Sequence, residues 1–209
     1  MLEIYFIRHG ESVGNLENRF RGKHDFPLNE NGLRQARALK QELKEVPFLK
    51  IYSSPLRRAF DTAQIIADGK IVVEADEAFN NISLGEWENR AKSEIQEKYP
   101  DLWKLWINNP EKLAFPGMET LAEVQQRSYS ALLQLVEQHK SGKIAIVSHR
   151  AVLKPLFAAI LGIPEPYFWK IHMDTAAYSM VEFRSERGFT LTCMNQNKHL
   201  GEYIREELG

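Results

Sequence analysis

Short apolar runs alternate with amphipathic ones along this chain. Leu2 to Ile7 is β-branched and aromatic enough for a buried strand, and Gly10 permits a sharp turn after it. Asn29 to Val46 carries apolar or small residues at Leu33, Ala36, Leu39 and Leu43, a helical stripe, and Leu49 to Ser53 reads as a short strand. Pro55 sits where a helix can begin, because its missing N–H costs nothing in a first turn, and the pattern carries that helix to about Ala67. Ile71 to Glu74 predicts a third strand, Leu121 to Val136 a long amphipathic helix, and Lys143 to Ser148 a fourth strand with the apolar run Ile144 to Val147. Ala177 to Arg184 and Phe189 to Gln196 predict two strands joined around Arg187-Gly188, a hairpin signal. This alternation implies an α/β fold, with a largely parallel sheet and helices on both faces.

Asn80 to Gly142 is too long for a simple crossover, and Trp87, Tyr99, Trp103 and Trp106 sit there among lysines and glutamates. It reads as a helical cap over a pocket, a dimer surface or plain packing, and packing is the commoner use of aromatic residues at helical spacing. With no repeat, low-complexity tract or linker, residues 1–209 are expected to form one domain with a cap-like insertion around 80–142.

Composition narrows the function classes. At 209 residues, 44% hydrophobic and 26% charged, the chain suits an ordinary soluble globular protein with a sizeable core. The formal net charge of -1, with both signs interspersed, gives no nucleic-acid or membrane-surface footprint. The single cysteine, Cys193, cannot form an internal disulfide, which fits a reducing cytosol, and core packing is its expected role. No run approaches the roughly 18 apolar residues of a membrane helix. The first residues read as a strand, not a basic region followed by an apolar stretch, so a cytoplasmic location is expected.

The candidate chemistry lies where strands end. Arg8 and His9 follow the first strand, at the carboxyl edge where open α/β sheets bind ligands. Arginine offers a planar fork that matches phosphate oxygens, a neutral imidazole can attack phosphorus, and the neighbouring guanidinium disfavours protonation of that imidazole. Taken alone, the pair is equally a solvated loop. Three further segments place cations beyond strands: Ile51 to Ala59 with Arg57 and Arg58 in a first helical turn, Val147-Ser148-His149-Arg150, and the loop Arg19 to His24. Cations at a helix start oppose its dipole, a conflict that a bound anion relieves. Individually, Arg57 could be a solvated charge, His149 a helix cap and His24 a surface residue, and His139, His172 and His199 are more readily structural still. The joint arrangement is harder to dismiss.

These segments resemble the histidine phosphatase, or phosphoglycerate mutase-like, superfamily over nearly the whole chain. The matching pieces, in order, are Arg8-His9-Gly10-Glu11-Ser12 with Asn15; Asp25-Phe26-Pro27-Leu28 with Asn31-Gly32; Ser53-Ser54-Pro55-Leu56 with Arg58; Gly85-Glu86-Trp87-Glu88; Pro116-Gly117-Met118-Glu119; and Val147-Ser148-His149. The resemblance implies a three-layer αβα sandwich around a mixed, mostly parallel sheet. It makes His9 the nucleophile that takes the phosphoryl group and yields it to water, with Arg8, Arg58 and His149 holding the equatorial oxygens. Asn15 and the loop near Gly22 would complete the phosphate pocket, with Ser12 a weaker contributor. No cofactor is implied, and no cluster has metal-ligand spacing.

The pattern breaks at one position. The family usually places a glutamate four residues before the glycine of its Gly-Asp/Glu-Trp-Glu motif, as the acid that protonates the departing alcohol. Counting back from Gly85 reaches Asn81, whose amide cannot supply that proton. A general acid is worth roughly 10² to 10⁴ in rate. Three explanations stand: another carboxylate serves, with Glu119, Glu11 and Glu77 as candidates; Asn81 is an introduced change that traps a complex; or the protein is a slow enzyme or a phosphate-binding module.

The family's cofactor-dependent mutases carry Glu-Arg-His-Tyr-Gly from the acid position, where this chain has Asn81-Ile82-Ser83-Leu84-Gly85, so it looks like a phosphatase. The stretch Asn197-Lys198-His199-Leu200-Gly201-Glu202 is similar to the tail of cofactor-independent phosphoserine phosphatases, where a histidine contacts the substrate carboxylate; His199 would take that role. Sugar phosphates, phosphoglycerate and a nucleotide-loop phosphate are alternatives, as are mutase-type transfer and a non-catalytic phosphate or phosphoprotein sensor. The expected partner is a small phosphorylated metabolite, without nucleic acid or membrane; a homodimer is left open.

Overall fold

The computed structural model describes residues 1–201, so Glu202 of the tail motif lies outside the described residues. In chain order the elements are β1 (Leu2–Arg8), α1 (Val13–Leu16), α2 (Glu30–Leu43), β2 (Lys50–Ser53), α3 (Arg57–Ala67), β3 (Val73–Ala75), α4 (Lys92–Lys98), α5 (Pro100–Asn108), α6 (Leu121–His139), β4 (Gly142–Ser148), α7 (Arg150–Leu161), β5 (Tyr178–Arg184) and β6 (Gly188–Gln196). They form a mixed sheet in the order β3-β2-β4-β1-β5-β6. Its first four strands are parallel, β5 pairs antiparallel with β1, and β6 pairs antiparallel with β5 at the edge.

The central strands β1 and β4 are apolar on both sides, and period-2 alternation sends successive residues to opposite faces. Ile4, Phe6, Ile144 and Ile146 join Leu132, Leu135, Leu153 and Leu156 of α6 and α7 in one core. Tyr5, Ile7, Ala145 and Val147 join Leu39, Leu43, Ala59 and Ala63 of α2 and α3 in the other. Two apolar faces on the central strands thus demand two helical layers, which is the αβα sandwich expected from the sequence.

Two boundaries differ from the sequence reading. The third strand begins at Val73, where pairing with Ile51 starts, and not at Ile71. The helix after the second strand begins at Arg57, two residues beyond Pro55, because Asp25 Oδ1 accepts the Arg57 N–H at 2.8 Å and caps it from a distant loop. Within the long insertion, Trp87 and Trp106 are buried in the larger core, and α6 packs beside α7 in the main helical layer. Cys193 is a partly buried free thiol on β6. No helix among the described residues is long and apolar enough to cross a membrane.

Register explains where the chemistry collects. Arg8 pairs with Ser148 and Ser53 with Val147, so three parallel strands end together and release His9, Ser54 and His149 at one edge.

Candidate active site

His9 leaves β1 with its backbone fixed: its N–H donates to Ser148 O at 3.0 Å, and its carbonyl accepts from Ala176 N at 3.1 Å. The imidazole Nδ1 lies 2.6 Å from Gly10 O. A carbonyl oxygen can only accept, so Nδ1 carries the proton and Nε2 keeps its lone pair. Burial lowers the His9 pKa well below 6.5, and Arg58 and Arg8 push it further in the same direction. The ring is therefore neutral and nucleophilic at neutral pH. The turn itself depends on backbone contact, since a Cβ on Gly10 would lie 2.7 Å from Gly32 O.

His149 stands beside it, with ring centroids 5.0 Å apart. Its Nε2 is 2.7 Å from Ser54 Oγ, while its Nδ1 is buried without a partner. Burial is again the chief cause of a pKa held well below 6.5, with Arg58 second.

Arg58 is fully buried and reaches back to the loop before α2, donating to His24 O at 2.9 Å and Gly22 O at 3.0 Å. Its Nε has no partner. Desolvation, reinforced by Arg21 and Arg8, lowers its pKa from 12.5 to about 9, although Asp25 and Glu88 oppose this. Arg8 Nη1 donates to Met173 O at 2.8 Å. Two buried guanidinium groups and two buried imidazoles thus converge, an arrangement that an anion would stabilise.

The pocket at this edge takes in Arg8, His9, Gly22, Asn81 and His149, together with Arg19, Arg21, Lys92 and Arg150. Ile82, Leu84, Trp106, Leu121 and Phe168 form its apolar wall. Among the described residues, no aspartate or glutamate lines it. Asn81 Nδ2 donates to Gly22 O at 2.7 Å, the carbonyl that also accepts from Arg58, and this ties the usual acid position to the phosphate cradle. Among the described residues, no group of three or more His, Cys, Asp or Glu side chains is placed to hold a metal ion.

Several nominated residues lie elsewhere. Glu119 is not at the pocket: it forms an ion pair with Arg127 (Nε to Oε1 2.5 Å, Nη2 to Oε2 3.0 Å), and Arg127 in turn holds the carbonyls of Ala78, Asn80 and Asn81. Glu11 accepts from Asn29 Nδ2 at 2.7 Å and Glu77 from Asn80 Nδ2 at 2.8 Å, so neither alternative acid reaches the pocket. Ser12 donates its hydroxyl to Asn15 Oδ1 at 2.7 Å at the start of α1, and neither residue lines the pocket. His199 approaches Ala176 O at 3.0 Å and packs near the Tyr178 ring, away from the pocket wall. His139 meets Tyr52 Oη and His172 meets Asp174, both structural contacts. Lys92 and the wall residues Ile82, Leu84, Leu121 and Phe168 were not singled out for the pocket from the sequence, because nothing in the spacing marks Lys92 as the buried first residue of α4, whereas Trp106 falls in the stretch read as a cap-like insertion.

Comparison with known proteins identifies the family. A family model of the histidine phosphatase superfamily, branch 1, matches residues 4–197. Phosphoserine phosphatase 1 of Hydrogenobacter thermophilus is 34% identical over 207 residues, 99% of this chain and 98% of that protein. Among solved structures, YhfR of Bacillus stearothermophilus superposes with a TM-score of 0.92 at 31% identity, covering 96% of this chain and 100% of that one. An Entamoeba histolytica phosphoserine phosphatase in complex with 3-phosphoglyceric acid superposes with a TM-score of 0.85 at 31% identity, covering 96% of this chain and 100% of that one. The chain belongs to the histidine phosphatase superfamily and is a phosphomonoesterase of its first branch.

Proposed function

We propose that the protein hydrolyses phosphate monoesters of small metabolites, phosphoserine foremost, without a metal and through a phosphohistidine on His9. The observation that carries this reading is the 2.6 Å contact of His9 Nδ1 with Gly10 O, which leaves the Nε2 lone pair available in the pocket beside Arg8 and His149, with the buried Arg58 guanidinium close enough to act on the ring. Phosphoryl transfer is mostly positioning plus stabilisation of spread negative charge, and the guanidinium groups supply that charge before substrate arrives. Nε2 attacks phosphorus as the ester oxygen departs, and water then displaces Nε2 from phosphorus. Asn15, Ser12, Glu119 and His199 support the site from a distance in this reading, and Asn81 occupies the acid position. Phosphoserine is favoured because the Hydrogenobacter relative is named for it and the Entamoeba histolytica enzyme was also solved in complex with phosphoserine.

Single-turnover labelling tests the proposal. An activated aryl phosphate should give a phosphoprotein that is labile to acid and stable to alkali, and His9→Ala should abolish it. Steady phosphate release without labelled wild-type protein would sink the covalent route.

A further inference from the structure

Gly22 O can only accept hydrogen bonds, so the Asn81 atom 2.7 Å from it is Nδ2, and this fixes the amide's orientation. Oδ1 is then the buried atom with no partner, on a side chain only 6% exposed that lines the pocket. An orphaned buried acceptor is unfavourable, so this position suits a ligand that brings a hydrogen-bond donor. Among the described residues no carboxylate lines the same pocket, and Glu11, Glu77 and Glu119 are engaged elsewhere. At the acid position itself, Asn81 therefore offers an acceptor where an acid is needed.

We propose that the substrate brings its own acid: the preferred esters are those of vicinal amino alcohols, whose ammonium group hydrogen-bonds Asn81 Oδ1 and protonates the departing oxygen. The inference rests on the reading of His9 as phosphoryl acceptor and names the substrate class for that site. In such an ester the nitrogen and the bridging oxygen sit on adjacent carbons, so an N–H reaches the oxygen in a five-membered ring. The cations Arg8, Arg21, Lys92 and Arg150 lining the pocket make an ammonium there a stronger acid, because like charge favours loss of its proton. The phosphate and any carboxylate on the substrate carry the charge that holds it in place.

The step balances. The His9 Nε2 lone pair forms the N–P bond while the P–O bond breaks and its electron pair goes to the departing oxygen. One ammonium proton moves to that oxygen, giving a hydroxyl and a neutral amine. In the second half, water attacks phosphorus, the N–P electrons return to Nε2, and the amine takes the proton that water releases.

Phosphoserine and 3-phosphoglycerate make a near-isosteric test, differing by ammonium against hydroxyl. A hydroxyl also donates to Asn81 Oδ1, so it binds, but it is far too weak an acid to protonate the leaving group. Rates of His9 phosphorylation should be measured at saturation, in single turnovers, for phosphoserine, both enantiomers of 3-phosphoglycerate and p-nitrophenyl phosphate. At pH 7 phosphoserine should react at least about 10²-fold faster than either phosphoglycerate, the scale of a general acid. That advantage should fade as pH rises through the amine pKa, and Asn81→Glu should raise the phosphoglycerate rates until the ratio is below about 10. If the aryl ester labels His9 while phosphoserine and the phosphoglycerates react within about threefold of one another, substrate-supplied acid is wrong and the phosphohistidine reading stands. An advantage that does not change with pH overturns it equally. Failure of the aryl ester to label His9 removes both.

Discussion

The N–H of Leu56 and the Nε2 of His149 both approach the hydroxyl oxygen of Ser54, at 3.3 and 2.7 Å. A hydroxyl has one proton to give, and in this fully buried residue its donation to Nε2 is the arrangement that leaves nothing on Ser54 wasted. Nδ1 of His149 then carries the other proton, as the unpartnered N–H of a pocket-lining ring, suited to a phosphoryl oxygen. Ser54 is thus a positioning residue. Losing one net hydrogen bond of about 1 kcal/mol that orients a transition-state ligand predicts a roughly 5- to 10-fold slower phosphoryl transfer for Ser54→Ala, with Ser54→Thr recovering most of it. Nitrogen-15 shifts of His149 should change tautomer pattern in Ser54→Ala alone; an unchanged pattern with a full rate would remove the role. At this scale the sequence is informative for side chains that end strands, so Arg8, His9, Arg58 and His149 are legible as a group. The contacts of Glu119 and His199 are less legible, because their partners Arg127 and Ala176 are set by tertiary contact, whereas Ser12 and Asn15 engage each other across a local capping turn.

Junctions between elements hold the nucleophile in place more than the elements do. Glu11 is pinned to the start of α2 from several sides: its N–H donates to Gln35 Oε1 at 2.8 Å, its carbonyl accepts from Asn29 N at 3.0 Å, and Asn29 caps the helix through Gly32 N at 2.7 Å. The two backbones come so close that a Cβ on Gly32 would overlap the carbonyl group of Glu11. Backbone cannot swing aside as a side chain can, so Gly32→Ala must push the 10–12 turn away from α2. About 1 to 3 kcal/mol of destabilisation is expected, read from the urea midpoint, with slower His9 labelling because the turn carries the nucleophile. An unchanged midpoint with full labelling would show that the turn yields without cost. Hydrophobic periodicity located the sheet strands and the helices α2, α3 and α6 to within a few residues, since both sheet faces are apolar, but gave no bounds for α1, α4 or α5. It misplaced the start of α3 because the cap, Asp25, lies far away in sequence.

Taken whole, the molecule buries a cluster of like charges and two neutral imidazoles at the end of its sheet, and this links its stability to pH and to anions. The alternation of strands and helices made the layers legible. The 80–142 stretch was less so, because an aromatic residue at helical spacing does not say which surface it meets, and Trp106 proves to serve both the core and the pocket wall. The sign of the pH effect follows from the histidines. His9 and His149 have folded pKa values well below 6.5, so between those values and 6.5 the unfolded chain binds protons that the folded one excludes. His139 and His199 are lowered in the same direction. Stability should therefore be complete above pH 6.5 and fall below it, by about 1.4 kcal/mol per pH unit for each proton so excluded. Urea unfolding at pH 7.5, 6.5 and 5.5 reads this directly, and His9→Asn with His149→Asn should flatten the acid limb. Inorganic phosphate should both raise the midpoint and shrink the loss at pH 5.5, because an anion in the cradle favours the charged imidazoles that burial penalises. Wild-type protein equally stable at pH 6.5 and 5.5 without phosphate would mean that the two rings are not held neutral, and that the cradle does not keep Nε2 of His9 unprotonated in the way its nucleophilic role requires.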